Sequence, residues 1–343
     1  MKILIASLLL LVGTCSKQRH SEKIKEVKAS IVFKKIPTVQ TYLNTITEVD
    51  LEKHLTEIAS DKYAGRMSGE PGHNAICDYI KSQYKALQIK APKNYPGYFQ
   101  TVPKSFLPED TNTSQNVIAY VEGSEFPDEY VVISAHSDHI GIVDGKVYNG
   151  ADDNGSGTSA ILEIAEAFKL AEQNGIRPRR SIVFLHVTAE ELGLYGSQYY
   201  IQNPVFPLEN TVANLNTDMI GRIDKRHEGN DNYVYLIGSD RISTELDFIV
   251  REANDEFVNL DLDYKYNDIN DTNRYYNRSD HYNFALQDIP VIFFFNGEHK
   301  DYHKSSDTID KISFSALKKR TQLIFVTTWY IANSNNAPLR EVL

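Results

Sequence analysis

The chain has 343 residues, 41% hydrophobic and 24% charged. That is enough apolar material for a buried core, which excludes a disordered, collagen-like or membrane-embedded chain. At about 150 residues per domain the length allows one or two domains. Lys and Arg number 36 against 46 Asp and Glu, a net charge of −10, and no basic block stands out, so nucleic acid is excluded as an expected partner. With two cysteines, Cys15 and Cys77, a disulfide framework is excluded as well.

The N-terminus, MKILIASLLLLVGTCSKQ, places Lys2 ahead of an apolar run of 11 residues, Ile3 to Gly13. A helix that spans a bilayer needs about 20, so the run has the form of a secretory signal peptide. Val12-Gly13-Thr14-Cys15 resembles the lipobox of bacterial lipoproteins, although Thr14 is an unusual residue before the cysteine. The expectation is a signal segment over 1–15, export as a periplasmic or outer-membrane lipoprotein (otherwise secretion), and membrane anchoring through a lipidated Cys15. Cys77 would then be alone and the mature chain free of disulfides. Residues 16–45, rich in Lys and polar groups, read as a tether and lead-in, and 46–343 as one folded domain.

Leu51, Leu55 and Ile58 follow helical spacing, with Asp50-Leu51-Glu52 as a capped start. The stretch AGRMSGEPGH is a loop punctuated by Gly and Pro. A second helix is expected over Asn74–Leu87, with Ile76, Ile80, Tyr84 and Leu87 on one face. Residues 91–115 hold four prolines and read as a loop. Strands are expected at Asn116–Val121, Tyr130–Ala135, Ser181–Val187, Asn210–Asn216, Tyr233–Ile237 and Pro290–Phe295. Helices are expected at Ser159–Ala171, Gly193–Ile201, Ile242–Phe257 and Phe314–Ala332. Strands alternating with helices imply a three-layer α/β fold, a mostly parallel central sheet with helices on both faces. The near-continuous apolar runs VVISA, SIVFLHV and VIFFF agree with strands covered on both sides. Residues 259–283, dense in Asp, Asn and Tyr, read as part of a loop-rich subdomain over about 222–283.

Ligands of open α/β sheets bind beyond the carboxyl ends of the strands, so the residues just after each apolar run carry the most information. After VVISA come His136 and Asp138, two apart and therefore on one side of an extended chain. GADDNGSGT brings Asp152, Asp153 and Asn154 to the start of a helix. SIVFLHVTA is followed by Glu190-Glu191, TVANLNT by Asp218, and VIFFFNGEHKDY by His303. Each alone has a bland reading: an incidental HxD, a turn with a helix cap, a solvated Glu pair, a surface histidine. Together they fall at one topological place. A mixture of imidazole and carboxylate donors suits zinc, and carboxylates can be shared by two metals.

HSDHIG, GADDNGSGT, TAEELGLYGS, NTDMIG and DYHKSSDTID resemble, in order and over about residues 115–335, the five motifs of metallopeptidase family 28. These are di-zinc aminopeptidases of the aminopeptidase S and aminopeptidase Y type. The resemblance implies the zinc-exopeptidase fold, without the protease-associated insert that some members carry, and two Zn2+ per chain. It implies that His136 and Glu191 serve opposite metals, that Asp153 bridges both, and that Asp218 and His303 complete the set, in either pairing. It further implies Glu190 as general base, Asp138 as the group that orients His136, and Tyr302 as a residue that steadies the oxyanion. The substrates would be peptides with a free N-terminus, cut at the first peptide bond. Zinc would lower the pKa of water from 15.7 to about 7 and Glu190 would carry the proton to the leaving amine.

Other histidines read as bland. His139, His281 and His299 match no implied ligand, His186 sits in a strand, and His20, His54, His73 and His227 are expected at the surface. Asp152, Asp280 and Asp307 are candidates to orient the ligands, and Tyr275, Tyr276, Tyr282 and Phe284 to wall a side-chain pocket. The alternative activity on the same fold is a glutaminyl-peptide cyclotransferase, which works with one zinc. The forms DDNGSG and TAEELGLYGS stand closer to the aminopeptidases. A scaffold that has lost its ligands is disfavoured, because all five positions and the base are present.

Overall fold

The computed structural model describes residues 21–342, so the Ile3–Gly13 run and Cys15 lie outside the described residues. The centre is one eight-stranded sheet in the order β1-β2-β6-β3-β7-β10-β8-β9. In chain order these strands are β1 (Phe99–Val102), β2 (Ser114–Val121), β3 (Phe126–His136), β6 (Arg180–Val187), β7 (Thr211–Thr217), β8 (Tyr233–Ile237), β9 (Asp261–Asp263) and β10 (Val291–Phe295). A small hairpin, β4 (Gly141–Val143) with β5 (Lys146–Tyr148), stands apart. The middle of the sheet is parallel: β3 pairs with β6 and with β7, and β7 with β10. Antiparallel partners close it, β2 on β6, β1 on β2, and β8 on β10.

The middle strands are apolar on both faces because both faces are covered. Along β3, Val131, Ile133 and Ala135 join the larger core while Val132 joins the smaller one on the opposite face, as the two-residue period of a strand requires. The larger core is built with helices α1 (Ile36–Leu43), α2 (Glu48–Ile58), α3 (Pro71–Ala86), α4 (Gly157–Gln173), α6 (Thr244–Phe257) and α8 (Phe314–Asn333). The smaller core takes Tyr200 of α5 (Tyr195–Gln202) and Phe284 of α7 (His281–Ala285). Trp329 of α8 stacks on both Tyr42 and Phe168, tying α1 and α4 to the C-terminal helix.

Several expectations are corrected. The packed domain begins ahead of residue 46: Ile31, Phe33, Val39, Tyr42 and Leu43 are buried, and the lysines between them, which made the stretch read as a tether, point outward. Helix α3 starts at Pro71 rather than Asn74, because proline is tolerated at the first helical position, where its missing N–H has no partner to lose. The expected loop over 91–115 contains β1, held as an edge strand by β2. Residues 222–283 are no separate subdomain. They supply β8 and β9 to the sheet and α6 to the main core, and only the tyrosine-rich part beyond β9 lies over the sheet, where Tyr266 and Tyr275 pack on Tyr235 and Phe295.

His54 and His73 are buried, not exposed. Both share a helix face with apolar neighbours, His54 with Leu51, Leu55 and Ile58, and His73 with Ile76, Cys77 and Ile80. His227 is partly shielded by stacking on Tyr233 and is bonded to Asp224. His186 is a core residue, its Nε2 2.6 Å from the Tyr84 hydroxyl, and Cys77 is free and buried.

Burial pushes His73, His186 and His281 down to about 3, against about 6.5 in an unfolded chain. Between those values the unfolded chain binds more protons, so stability is lost as pH falls below about 6.5. Each histidine contributes up to about 1.4 kcal/mol per pH unit. Urea unfolding at stepped pH from 7.5 to 5 should show this slope, and His186→Gln should reduce it by about one proton; an unchanged slope would mean that His186 is not held neutral.

Candidate metal centre

The parallel strands deliver their C-terminal residues to one edge of the sheet. His136 ends β3, Glu190 and Glu191 follow β6, Asp218 follows β7, and the loop after β10 carries His303. Asp153 comes from the turn 151–156 that enters α4. His136 Nε2 lies 3.3 Å from Asp153 Oδ1 and 3.3 Å from Asp218 Oδ1. His303 Nε2 lies 3.1 Å from Asp153 Oδ2 and 3.1 Å from Glu191 Oε2. Asp153 thus presents one oxygen to each of two groups, with Asp218 beside His136 and Glu191 beside His303. Glu190 stands outside both, its Oε2 3.9 Å from His136 Nε2.

His139, set aside in the sequence, belongs here: its Nδ1 is 2.7 Å from Glu191 Oε1 and 3.8 Å from Asp153 Oδ2. The signal was its place three residues after His136 in HSDHIG, which a hydrophobic pattern cannot distinguish from an ordinary loop histidine.

The turn bearing Asp153 is built from buried hydrogen bonds. Asp307 Oδ2 accepts from the backbone N–H of Asp152 at 3.0 Å and of Asp153 at 3.1 Å. Asp152 accepts from Gly221 N–H at 2.6 Å and meets His299 Nε2 at 3.1 Å. Asn154 donates to Thr217 O and accepts from Gly157 N–H, joining the turn to β7 and to α4. Gly150, at φ +51°, must be glycine, since a Cβ there would lie 2.1 Å from Asp153 O and 2.6 Å from the His139 ring.

Asp138 does more than orient His136. Its carboxylate oxygens accept from the Glu190 and Glu191 N–H groups at 3.3 and 3.4 Å, and Oδ1 lies 3.7 Å from His136 Nδ1. The same Nδ1 is 3.2 Å from Asp138 O. A proton donated there leaves Nε2 with its lone pair toward Asp153 and Asp218, the tautomer a metal ligand needs. Ser279 donates to Asp218 Oδ2, fixing the oxygen that faces away from His136.

Beneath the centre lies Arg66, 1% exposed, from the loop whose role the sequence left open. It donates to Ser137 O at 3.0 Å, Ile58 O at 3.1 Å, Asn149 O at 2.5 Å and Gly150 O at 3.1 Å. Burial lowers its pKa to about 10 while Asp153, Asp138 and Asp307 act to keep it charged, so one guanidinium ties the ends of the His136 and Asp153 segments to α2. Tyr302 stacks on His303 with centroids 3.8 Å apart and accepts a 3.4 Å contact from Arg278.

The other candidates divide. Asp152 and Asp307 orient the Asp153 turn, whereas Asp280 bonds Ser197. His281 stacks on Phe293. Tyr275 lines the cavity beside the centre with Met219, Phe293 and Phe295. Phe284 is in the smaller core instead, with Tyr276 against it.

The donor set fits a divalent cation. Burial pushes Asp138, Glu190 and Asp218 up. Burial also opposes the charge of Asp153, but hydrogen bonds from His136 and His303 hold it well below the usual carboxylate range. His136 is raised despite burial by Asp218 and Glu190, and His303 is raised to about 10 by Asp153 and Glu191. Left to itself the chain balances these carboxylates with protons on imidazoles, and a cation can replace those protons. Glu191 Oε1 and both His139 nitrogens are buried without a hydrogen bond, although Nδ1 and Oε1 are in contact, as when two lone pairs converge on one ion. One group of donors is the buried His136, Asp153 and Asp218, the other the buried His139 and Asp153 with the half-buried Glu191, each with ligand atoms within 4.8 Å of one another. Nitrogen and oxygen donors in this number suit zinc.

The profile of peptidase family M28 matches residues 116–328. Leupeptin-inactivating enzyme 1 of Streptomyces exfoliatus is 27% identical over 305 residues, covering 83% of this chain and 61% of that protein. A probable aminopeptidase of Saccharomyces cerevisiae is 28% identical over 238 residues, covering 64% of this chain and 60% of that one. The chain therefore spans about three fifths of the length of these two relatives. In fold it is similar to the LapA aminopeptidase of Legionella pneumophila, with a TM-score of 0.68 at 22% identity over 89% of this chain and 77% of that structure.

Lysine cannot reproduce the Arg66 fork, so Arg66→Lys should lose about 3 kcal/mol or more of stability by leaving buried carbonyls unpaired. Chemical unfolding followed by circular dichroism reads this directly, and wild-type stability in the variant would show that the fork is dispensable.

Proposed function

This chain belongs to peptidase family M28, and we propose that it is a zinc-dependent aminopeptidase that hydrolyses the first peptide bond of peptides with a free N-terminus. The observation that carries the proposal is the double cradle around Asp153, with Glu190 beside it and a small cavity adjoining both, charged on the side of the carboxylates and walled on the other by Met219, Tyr275, Phe293 and Phe295. In this reading two zinc ions are held, one by His136, Asp153 and Asp218, the other by Asp153, Glu191 and His303, with His139 against Glu191. When bound, zinc supplies a Lewis acid that makes water nucleophilic at neutral pH and polarises the scissile carbonyl.

The chain's own residues do the rest. Burial raises the pKa of Glu190, which suits a general base that takes a proton from water and returns it to the leaving amine. Asp138 keeps Glu190 in place through the backbone N–H it accepts. The Tyr302 hydroxyl stays protonated, because burial and then Asp153 raise its pKa, and it is available as a donor to a developing oxyanion. The carboxylates attract the substrate's α-ammonium group. Met219, Tyr275, Phe293 and Phe295 offer the N-terminal side chain an apolar wall in that cavity, and Arg278 and Glu298 at its side pair with each other at 3.0 Å. The cyclotransferase alternative needs a single zinc, and His303 and Glu191 converging on the second oxygen of Asp153 favour two.

Glu190→Gln should lower kcat on leucyl-p-nitroanilide by about 10²–10⁴-fold while zinc, measured by elemental analysis, stays at the wild-type number per chain. Retained activity would remove Glu190 from the mechanism. One zinc with conversion of an N-terminal Gln peptide to pyroglutamate would replace the aminopeptidase with the cyclotransferase.

The wall of Met219, Tyr275, Phe293 and Phe295, with carboxylates opposite, predicts kcat/KM for leucyl and phenylalanyl p-nitroanilides at least tenfold above the aspartyl one, of the order a buried apolar contact supplies. Equal values across the panel would mean that this cavity does not receive the side chain.

A further inference from the structure

We propose that the chain carries a second, separate divalent-metal site, formed by His54 of α2 with Glu163 and Glu166 of α4, that clamps these two helices together. One ligand atom from each of the three residues lies within 4.8 Å of the others, and none belongs to the centre around Asp153. Glu163 and Glu166 stand three apart on one helix face and so project side by side.

Two observations beyond the cluster point to a cation. Glu163 is 2% exposed and its Oε1 is buried with no hydrogen-bond partner. His54 Nε2 stands 3.4 Å from that oxygen without the alignment of a hydrogen bond. His54 Nδ1, in turn, lies 2.8 Å from the Tyr79 hydroxyl. A ring proton donated to Tyr79 leaves Nε2 as a lone pair facing the carboxylate, the arrangement in which a metal-bound histidine is held through its other nitrogen. The remaining charged groups that act on Glu163 are Glu166 and Asp50, both negative. Among the described residues no lysine or arginine pairs with Glu163, whose one ion-pair contact is His54.

An isolated buried carboxylate costs free energy unless a charge meets it, and a divalent ion between one imidazole and two carboxylates does so with the donors that zinc, cobalt or manganese accept. Glu166, only half-buried, leaves a side for water to complete the coordination. The location gives the site a purpose. Leu55 and Ile58 of α2 rest on Gly155, where a Cβ would fall 2.7 Å from Leu55 Cδ1, and α4 issues from that same turn. A metal between α2 and α4 braces the turn that presents Asp153.

The test uses the full chain, stripped with chelator and re-equilibrated with Zn2+, as wild type, Glu163→Gln and Glu166→Gln. Bound zinc is counted by native mass spectrometry. Wild type should hold one zinc more than either variant, and zinc should raise the Tm of wild type more than that of the variants. In the metal-free state Glu163→Gln should be at least as stable as wild type, because a neutral amide is easier to bury, whereas a plain His54–Glu163 ion pair would make it less stable with or without zinc. Equal zinc counts in all three proteins overturn the site. Should Glu163→Gln fail to fold, Glu166→Gln at the half-buried rim decides in the same way. The count is a difference between proteins, so it stands whatever number of ions the Asp153 centre holds.

Discussion

The carboxylate of Asp153 is the constraint around which the rest is arranged. One of its oxygens faces His136 and the other His303, so the two donor groups can exist only if the turn 151–156 is held to within a fraction of an ångström. Asp307 grips two consecutive N–H groups of that turn, Asp152 anchors it to Gly221, and Asn154 bonds it to the end of β7. These are buried polar groups, and each finds a partner because an unmet one would cost more than the bond contributes. The support is therefore as dense as the site itself.

The sheet supplies the other half of the geometry. Parallel strands end at one edge, and residues just beyond those ends converge without any of them being neighbours in the chain. The cost is electrostatic. Several carboxylates are brought out of water together, and burial raises most of them. Arg66 answers from below with a permanent charge spent on four backbone carbonyls, while the histidines answer from within. A centre of this kind binds cations because its own charges are incompletely met.

Much of this was legible in the chain. The strand-like runs ended close to where β3, β6, β7 and β10 end, with His136, Glu191, Asp218 and His303 read at or beyond those ends and Asp153 in the GADDNGSGT turn, whereas His139 was set aside. Membership of peptidase family M28 agrees with the reading of those motifs. The misses share a cause. Ile31, Phe33, Val39 and Leu43 were hidden among lysines, and β1 among prolines, because a strand or short helix stabilised by its neighbours leaves little local pattern. His54 and His73 did sit at apolar spacing on their helices, but a histidine carries no hydrophobic signal of its own. Arg66 looked like a loop residue because its partners are carbonyls 8, 71, 83 and 84 positions away.

By itself the sequence determined the order of elements, the parallel character of the sheet and which side chains gather at its carboxyl edge, because periodicity and position relative to a strand end are local properties. Only the tertiary structure decided that Asp218 stands with His136 and Glu191 with His303, that His139 joins the second group, that Asp138 holds the Glu190–Glu191 backbone, and that His54 meets Glu163 across two helices. Each of these depends on which oxygen or nitrogen a side chain turns toward a partner far away in the chain. That choice is made by packing and by the need to satisfy buried polar atoms, neither of which is written in any short stretch of residues.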